Sequence, residues 1–229
     1  YVFKSASNGN YSWGRSYTLT SPVFDSHDAA NDVVEVSNEY YFVGYHSQQN
    51  GSDTTTNILL FKTDASGNLQ WMKSFGELGK NEDGYKIQYI SSSNELLIIG
   101  YTETDIAVLK TDLSGNITYS TSYAIGLFDA VGTTILKTSD GGYAITGWVI
   151  TNIFPLTVKS FLLKLNPSFT VQFAKEYKGF FQSILSTLDI ANDGGYIIGS
   201  LSGTQGSGWG VQLIKTDNNG VSGCNDTIT

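Results

Sequence analysis

Five stretches of this sequence are variations on one theme. They read "VFKSASNGNYSWGRSY" from Val2, "LFKTDASGNLQWMKSF" from Leu60, "VLKTDLSGNITYSTSY" from Val108, "LLKLNPSFTVQFAKEY" from Leu162 and "LIKTDNNGVSGCNDTI" from Leu213. Each carries a Lys: Lys4, Lys62, Lys110, Lys164 and Lys215. The first four are followed, at constant distances, by two aromatics: Trp13 and Tyr17, Trp71 and Phe75, Tyr119 and Tyr123, Phe173 and Tyr177. Constant spacing within the unit, beside variable spacing between units, describes a rigid local element joined by connections of free length.

A second unit lies between copies of the first: "VVEVSNEYYFVG" (33–44), "IQYISSSNELLIIG" (87–100), "TILKTSDGGYAITG" (134–147) and "TLDIANDGGYIIGS" (187–200). Each is an apolar run, a turn of Ser-Asn-Glu or Asp-Gly-Gly type, and a second apolar run, which is hairpin chemistry. The runs are short, β-branched and aromatic, with no helical period. Each repeat thus holds four strands, A to D, with A and B from this hairpin and C and D from the Lys unit. Four antiparallel strands per roughly 50 residues, repeated in tandem, predict an all-β fold, a β-propeller of four-stranded blades. Stacking buries the faces that one sheet cannot bury alone. A β-solenoid is the structural alternative. The expectation is one propeller domain over 1–229, with repeats near 1–57, 58–105, 106–160, 161–210 and a partial 211–229. The chain opens on strands C and D and closes on A, B and C, which predicts four to five blades and a piece of a longer polypeptide.

The net charge is −8 and the pI about 4.6, with 13 basic residues scattered along the chain, so no nucleic-acid-binding face is expected. No apolar stretch approaches a membrane span. One Cys, Cys224, excludes an internal disulfide. Charged residues are only 15% of the chain, and Tyr and Thr are abundant. That composition points to an extracellular or cell-surface location. Asn-x-Ser/Thr sequons at Asn10, Asn50, Asn116 and Asn225 add little, since a chain this rich in Asn, Ser and Thr generates them by composition.

The pairing of "DGGYAITG" or "DGGYIIGS" with "KTDxSGNxxW" resembles tandem repeats of large secreted and surface proteins of bacteria and archaea, often cargo of the type IX secretion route. "TDASGNLQW" also resembles the tryptophan-docking turn of quinoprotein-like propellers. The resemblance implies the propeller fold and secretion, and it implies that Trp71 docks on the next blade. Asn166-Pro167-Ser168-Phe169 departs from it by replacing the Asp and the Gly.

The candidate chemical groups divide as follows. Asp64, Asp112 and Asp217 stand in Ser/Asn-Gly turns; calcium is one reading, but no downstream Glu follows as calcium loops require, and an Asx turn is the expectation. The five Lys are expected as solvated edge charges. Asp28, Asp83 and Asp129 precede strand A and lie 16, 17 and 18 residues before Gly44, Gly100 and Gly147. They are the candidate metal ligands; capping of loop backbone is the structural reading. His27 and His46 lack a third strong ligand. No cofactor is expected.

Turns between A and B and between C and D are short, whereas the B–C and D–A connections vary, and variable loops on a rigid scaffold carry function. The long runs 45–57 and 148–160 read as such loops. Trp148, Phe154, Phe180, Phe181 and Trp209 are the candidate binding residues there, as anchors for a protein or a glycan partner. With no catalytic constellation evident, the reading is a non-catalytic binding or structural module. The alternative is a propeller enzyme, a hydrolase, lyase or quinoprotein-like protein, with its site on the B–C/D–A face.

Overall fold

The structure, a computed structural model, describes residues 1–19, 27–50, 53–77, 79–177, 182–204, 208–223 and 226–228. The chain is all-β, a β-propeller of four-stranded antiparallel blades, as the repeat predicts. A half-blade pairs β1 (Val2–Ser5) with β2 (Tyr11–Arg15). The first blade runs β3 (Asp28–Val36), β4 (Glu39–Asn50), β5 (Asp53–Thr63) and β6 (Leu69–Phe75). The second runs β7 (Glu82–Ile90), β8 (Glu95–Thr102), β9 (Asp105–Asp112) and β10 (Ile117–Tyr123). The third runs β11 (Ala130–Lys137), β12 (Tyr143–Ile153), β13 (Leu156–Leu165) and β14 (Val171–Tyr177). The fourth holds β15 (Gln182–Ile190), β16 (Tyr196–Thr204) and β17 (Gly208–Lys215). The last strand, β18 (Asp226–Ile228), does not extend this blade but pairs with β14 of the third. The chain divides into two compact units, Tyr1–Glu103 with Ala107–Ser122, and Thr104–Ile106 with Tyr123–Thr229.

Apolar alternation along each strand builds a cluster wherever two blades meet within a unit. In the first unit, Tyr41, Val43, Ile58 and Leu60 meet Ile87, Leu96, Ile98 and Leu109. Phe42, Leu59 and Phe61 meet Val2 and Tyr17 of the half-blade. In the second unit, Ala144, Leu162 and Tyr177 meet Leu188, Tyr196, Ile198 and Ile214. Each buried Leu- or Ile-sized side chain contributes about 1.5–3 kcal/mol.

The C–D turns dock as the repeat implies. Asp64 accepts the Ser66 and Asn68 amides at 2.8 Å, an Asx turn repeated by Asp112 and Asp217. Those amide bonds hold the Asp64 carboxyl below its ordinary range, Asn68 contributing most. Gly67 then takes φ of +78°, and the Trp13 ring of the half-blade lies so close that a Cβ there would stand 2.8 Å from it. Tyr17 donates to the Gly67 carbonyl at 2.7 Å, Tyr123 to Phe169 at 2.6 Å and Tyr177 to Gly220 at 2.8 Å. Phe169 occupies the glycine position of its turn at φ +62° and stacks on Tyr143 at 4.7 Å, which supports the left-handed backbone without a glycine.

The runs expected as long B–C loops are ladder-paired hairpins. The β4–β5 ladder continues to Asn50↔Asp53, and β12–β13 continues to Ile153↔Leu156. Thr54, Thr55, Thr56 and Thr157, β-branched and polar, suit a partly solvated ladder of this kind.

Candidate active site

Lys62, Lys110 and Lys164 are not the solvated edge charges expected, although Lys215 is exposed. Four of the five repeated Lys residues reach across their own blade to an acid in or beside the A–B turn: Lys62 to Glu39, Lys110 to Glu95, Lys164 to Asp140 and Lys215 to Asp193; Lys4 donates instead to the Tyr40 hydroxyl of the first blade. Lys164 is buried, and it also donates to Gln172 at 3.0 Å and to the Leu165 carbonyl at 3.1 Å. The Lys164 ammonium, with Thr138 and the Gly142 amide, holds the Asp140 carboxyl well below its ordinary range. The Lys110 ammonium, with Ser93 and Thr118, draws Glu95 down to about 2. A cavity of about 390 Å³ opens beside Asp140, Lys164, Gln172 and Tyr196. Its charges neutralise each other, so this end of the blades is architecture.

The opposite end is where strand A begins. In every blade this inner strand bulges, between Ala30 and Asp32, Gly84 and Lys86, Gly132 and Thr134, and Ile184 and Thr187. The bulge drives a carbonyl towards strand B. A Cβ on Gly44, Gly100 or Gly147 would stand 1.8 Å from the carbonyl oxygen of Ala29, Asp83 or Val131, which is why strand B carries Gly opposite the bulge. Bulged side chains tie blade to blade: Asn31 donates to the Gly84 carbonyl at 2.8 Å, and Thr133 to that of Ser186 at 2.5 Å.

The ladder also settles how the acids correspond. Asp28 pairs with His46 two residues before Ala30↔Gly44, and Glu82 pairs with Thr102 two residues before Gly84↔Gly100. Asp28 therefore corresponds to Glu82, which counting along the sequence missed. Both acids do the same work. Asp28 bonds His46 Nδ1 at 2.5 Å and accepts the Leu19 amide at 2.8 Å. Glu82 accepts the Thr102 hydroxyl at 3.1 Å and the Glu77 amide at 2.8 Å. With His46 at 1% and Asp28 at 7% side-chain exposure, the pair brackets the arriving chain rather than facing solvent. In the third blade the buried pair Ala130–Val149 fills this place.

Asp83, one residue past Glu82, projects from the other face of β7. It lies across from Tyr101, and its Oδ2 is 3.5 Å from the Tyr85 hydroxyl. Its Oδ1 is buried with no hydrogen-bond partner, a condition shared among the described residues only by the Thr111 hydroxyl. Burial first, then the Asp83 charge and the neighbouring Tyr101 and Tyr45, push the Tyr85 phenol up to about 12. A buried carboxylate oxygen with no hydrogen-bond partner calls for an explanation beyond packing.

Asp129 is half-buried, and its carbonyl accepts the Ile150 amide at 2.9 Å. Among the described residues, no three His, Cys, Asp or Glu groups converge on a possible metal position. His27 is exposed. Trp148 is half-buried within the β12 ladder, between Val131 and Ser160. Phe154 is exposed at the hairpin tip, about 20 Å further along the strand. Trp209 is exposed on β17, its ring over Gly203. Phe180, Phe181 and Cys224 lie outside the described residues.

No family model and no curated protein matches the sequence. Solved structures do match in fold. An endo-1,4-beta-xylanase from Bacteroides thetaiotaomicron VPI-5482 is 14% identical over 86% of this chain and 69% of that one, with a TM-score of 0.51. A mannose phosphorylase from Leishmania mexicana is 12% identical over 94% of this chain and 73% of that one, at 0.45. A GH32 beta-fructofuranosidase from Bombyx mori is 7% identical over 86% of this chain and 49% of that one, at 0.47. The expectation of a non-catalytic module is corrected here. A solved structure that shares this architecture is an endo-1,4-beta-xylanase, so a repeat whose signals are all structural is no argument against catalysis.

Proposed function

We propose that this chain is a β-propeller enzyme acting on a carbohydrate, with Asp83 as a reacting carboxylate at the start of the second blade's inner strand. The observation that carries the reading is the buried, unpartnered Oδ1 of Asp83. A carboxylate oxygen held dry with no donor costs stability, and an unsatisfied buried group of this kind is often functional. Cleavage between sugars uses carboxylates flanking the bond, and Asp83 supplies one of them. Tyr45, Tyr85 and Tyr101 offer phenolic hydroxyls and ring faces to a sugar. The fold shared with a xylanase supports a glycan as the substrate class. An extracellular setting, suggested by the low charge and single Cys, suits a polymeric substrate.

The test is a panel of plant and microbial polysaccharides, with reducing-sugar release as the readout, for the wild type and Asp83→Asn. Turnover by the wild type, and a loss of at least about 10²-fold in the variant, is expected. Absence of turnover across the panel, or full activity in the variant, overturns the proposal.

A further inference from the structure

The junction between the first and second blades departs from the repeat at three places. Tyr17, Tyr123 and Tyr177 each donate to a carbonyl of the following C–D turn, but the first blade has Phe75 at that position. Lys73 makes the tie instead, donating to the Gly115 carbonyl at 3.0 Å. Three residues before the strand-C Lys, the first and third blades hold Leu59 and Phe161, whereas the second holds Ala107. On the outer strand, one residue after the docking aromatic, Ser120 stands where the first blade has Met72.

These changes converge on one space. Phe75 and Ile58 of the first blade, with Ala107 and Leu109 of the second, line a cleft of about 410 Å³. Where the first blade meets the half-blade, Leu59 and Met72 pack with Val2 and Tyr17 instead. Protein interiors are close-packed, so a space of this size left by shortened side chains is a specific departure from the repeat. Every residue that lines it belongs to the first compact unit.

The cleft is polar at both ends. Ser120 and Ser122, both exposed, line it from β10. Glu82 and Thr102 line it from β7 and β8, and Glu82 is only 8% exposed. The Glu82 carboxylate accepts the Thr102 hydroxyl and the Glu77 amide, while a carboxylate offers about four lone-pair sites. It therefore has capacity for further donors. The Gly76 backbone passes so close that a Cβ there would stand 2.1 Å from Glu82 Oε2, so the carboxylate has its place only beside a glycine.

We propose that this cleft is a sugar-binding subsite for one or two sugar units. The apolar floor of Ile58, Phe75, Ala107 and Leu109 meets a ring face, and a sugar hydroxyl donates to Glu82. The Thr102, Ser120 and Ser122 hydroxyls, able to donate and accept, match the rest of the ring's edge. The volume falls within the range of small-molecule sites, and an apolar lining with a few convergent polar groups is their usual make-up. The choice of a sugar over any other polyol rests on the carbohydrate-acting reading proposed for Asp83. The subsite itself is separate from that carboxylate, which projects from the other face of β7.

The experiment is amide proton–nitrogen correlation NMR of the labelled chain, titrated with glucose, xylose, cellobiose and xylobiose, and separately with butylammonium chloride. In the wild type, the amides of Gly76, Ala107 and Ser120 are expected to shift together and to saturate with at least one of the sugars. Ala107→Leu and Ser120→Met put the first blade's side chains into the cleft, and each should weaken binding at least about tenfold. Both are checked by circular dichroism; Ser120 is exposed, so its variant keeps the test decisive if Ala107→Leu disturbs the core. Asp83→Asn should bind as the wild type does, which separates this subsite from the fate of the catalytic reading. The proposal is overturned if no sugar gives saturating shifts, or if binding survives both filling variants. Loss of the shifts in Asp83→Asn, or saturation by butylammonium alone, also overturns it.

Discussion

The Tyr177 hydroxyl donates to the carbonyl of Gly220 at 2.8 Å, tying the outer strand of the third blade to the C–D turn of the fourth. Both groups are buried. Tyr177→Phe removes the donor and leaves the carbonyl without it. A loss of about 1–2 kcal/mol in urea unfolding is expected, with an unchanged slope. The first blade carries Phe75 at the corresponding position, so the fold tolerates the missing hydroxyl and the variant should remain soluble.

Glycines that look alike in sequence should behave differently. A Cβ at Gly100 would stand 1.8 Å from the Asp83 carbonyl oxygen, which cannot yield without reshaping the bulge. A Cβ at Gly199 would meet only the Thr187 Cγ2, at 3.2 Å. Gly100→Ala should cost more than about 3 kcal/mol or prevent folding, and Gly199→Ala about 1 kcal/mol or less, by thermal melts.

Acid titration should reveal the Lys–acid ties. Glu95 is drawn from 4.5 down to about 2, chiefly by Lys110. A depressed folded-state value means that the stabilisation is complete above the unfolded value and is lost as pH falls through the folded one. The contribution should therefore fade between about 4.5 and about 2. Glu95→Gln should be less stable at neutral pH by no more than about 1 kcal/mol, since the pair is near the surface. The two proteins should converge at the acid end of that window.

The alkaline limb should carry the signature of Tyr85. Its phenol is raised from 10.0 to about 12, so the stability that it contributes is present below the unfolded value and is lost as pH climbs through that interval. Tyr85→Phe should flatten the loss of stability there. Difference absorbance of ionising phenols should show one fewer late-titrating tyrosine.

Much of the blade was legible because it is spelled by alternation and by turn chemistry, which act over a few residues. The Lys spacing located every C strand, and the aromatics nine residues on located every D strand. Counting back from the strand-B glycine fails at the inner acids because the A–B turn changes length, enclosing two residues between Val36 and Glu39 but four between Ile90 and Glu95. Asp83 therefore took the place that the ladder gives to Glu82. Glu39, Glu95, Asp140 and Asp193 as partners of the Lys set were missed for a related reason. Each lies more than ten residues from its Lys and meets it only across the B–C ladder. The one available signal was an acid repeating in or beside each A–B turn. The hairpin extensions to Asn50 and Ile153 look like loops in sequence because the B–C connections vary in length from blade to blade, and a ladder that simply runs on leaves no turn mark. Catalysis was least legible of all, since an orphaned carboxylate oxygen is a property of packing and leaves no trace in residue order.

The return of β18 to β14 has a mechanical consequence. The segment between those two strands contains the whole fourth blade, so tension on the chain beyond Ile228 is carried into β14 and bypasses that blade. The pairing is antiparallel, with Tyr177 opposite Asp226 and Lys175 opposite Ile228, so the pulled end and the strand leading back to Val171 leave from the same side. Such a geometry opens like a zipper, one bond at a time, rather than in shear. A gentle pull would free β18 first and only then place the fourth blade under load, making this short strand a mechanical fuse.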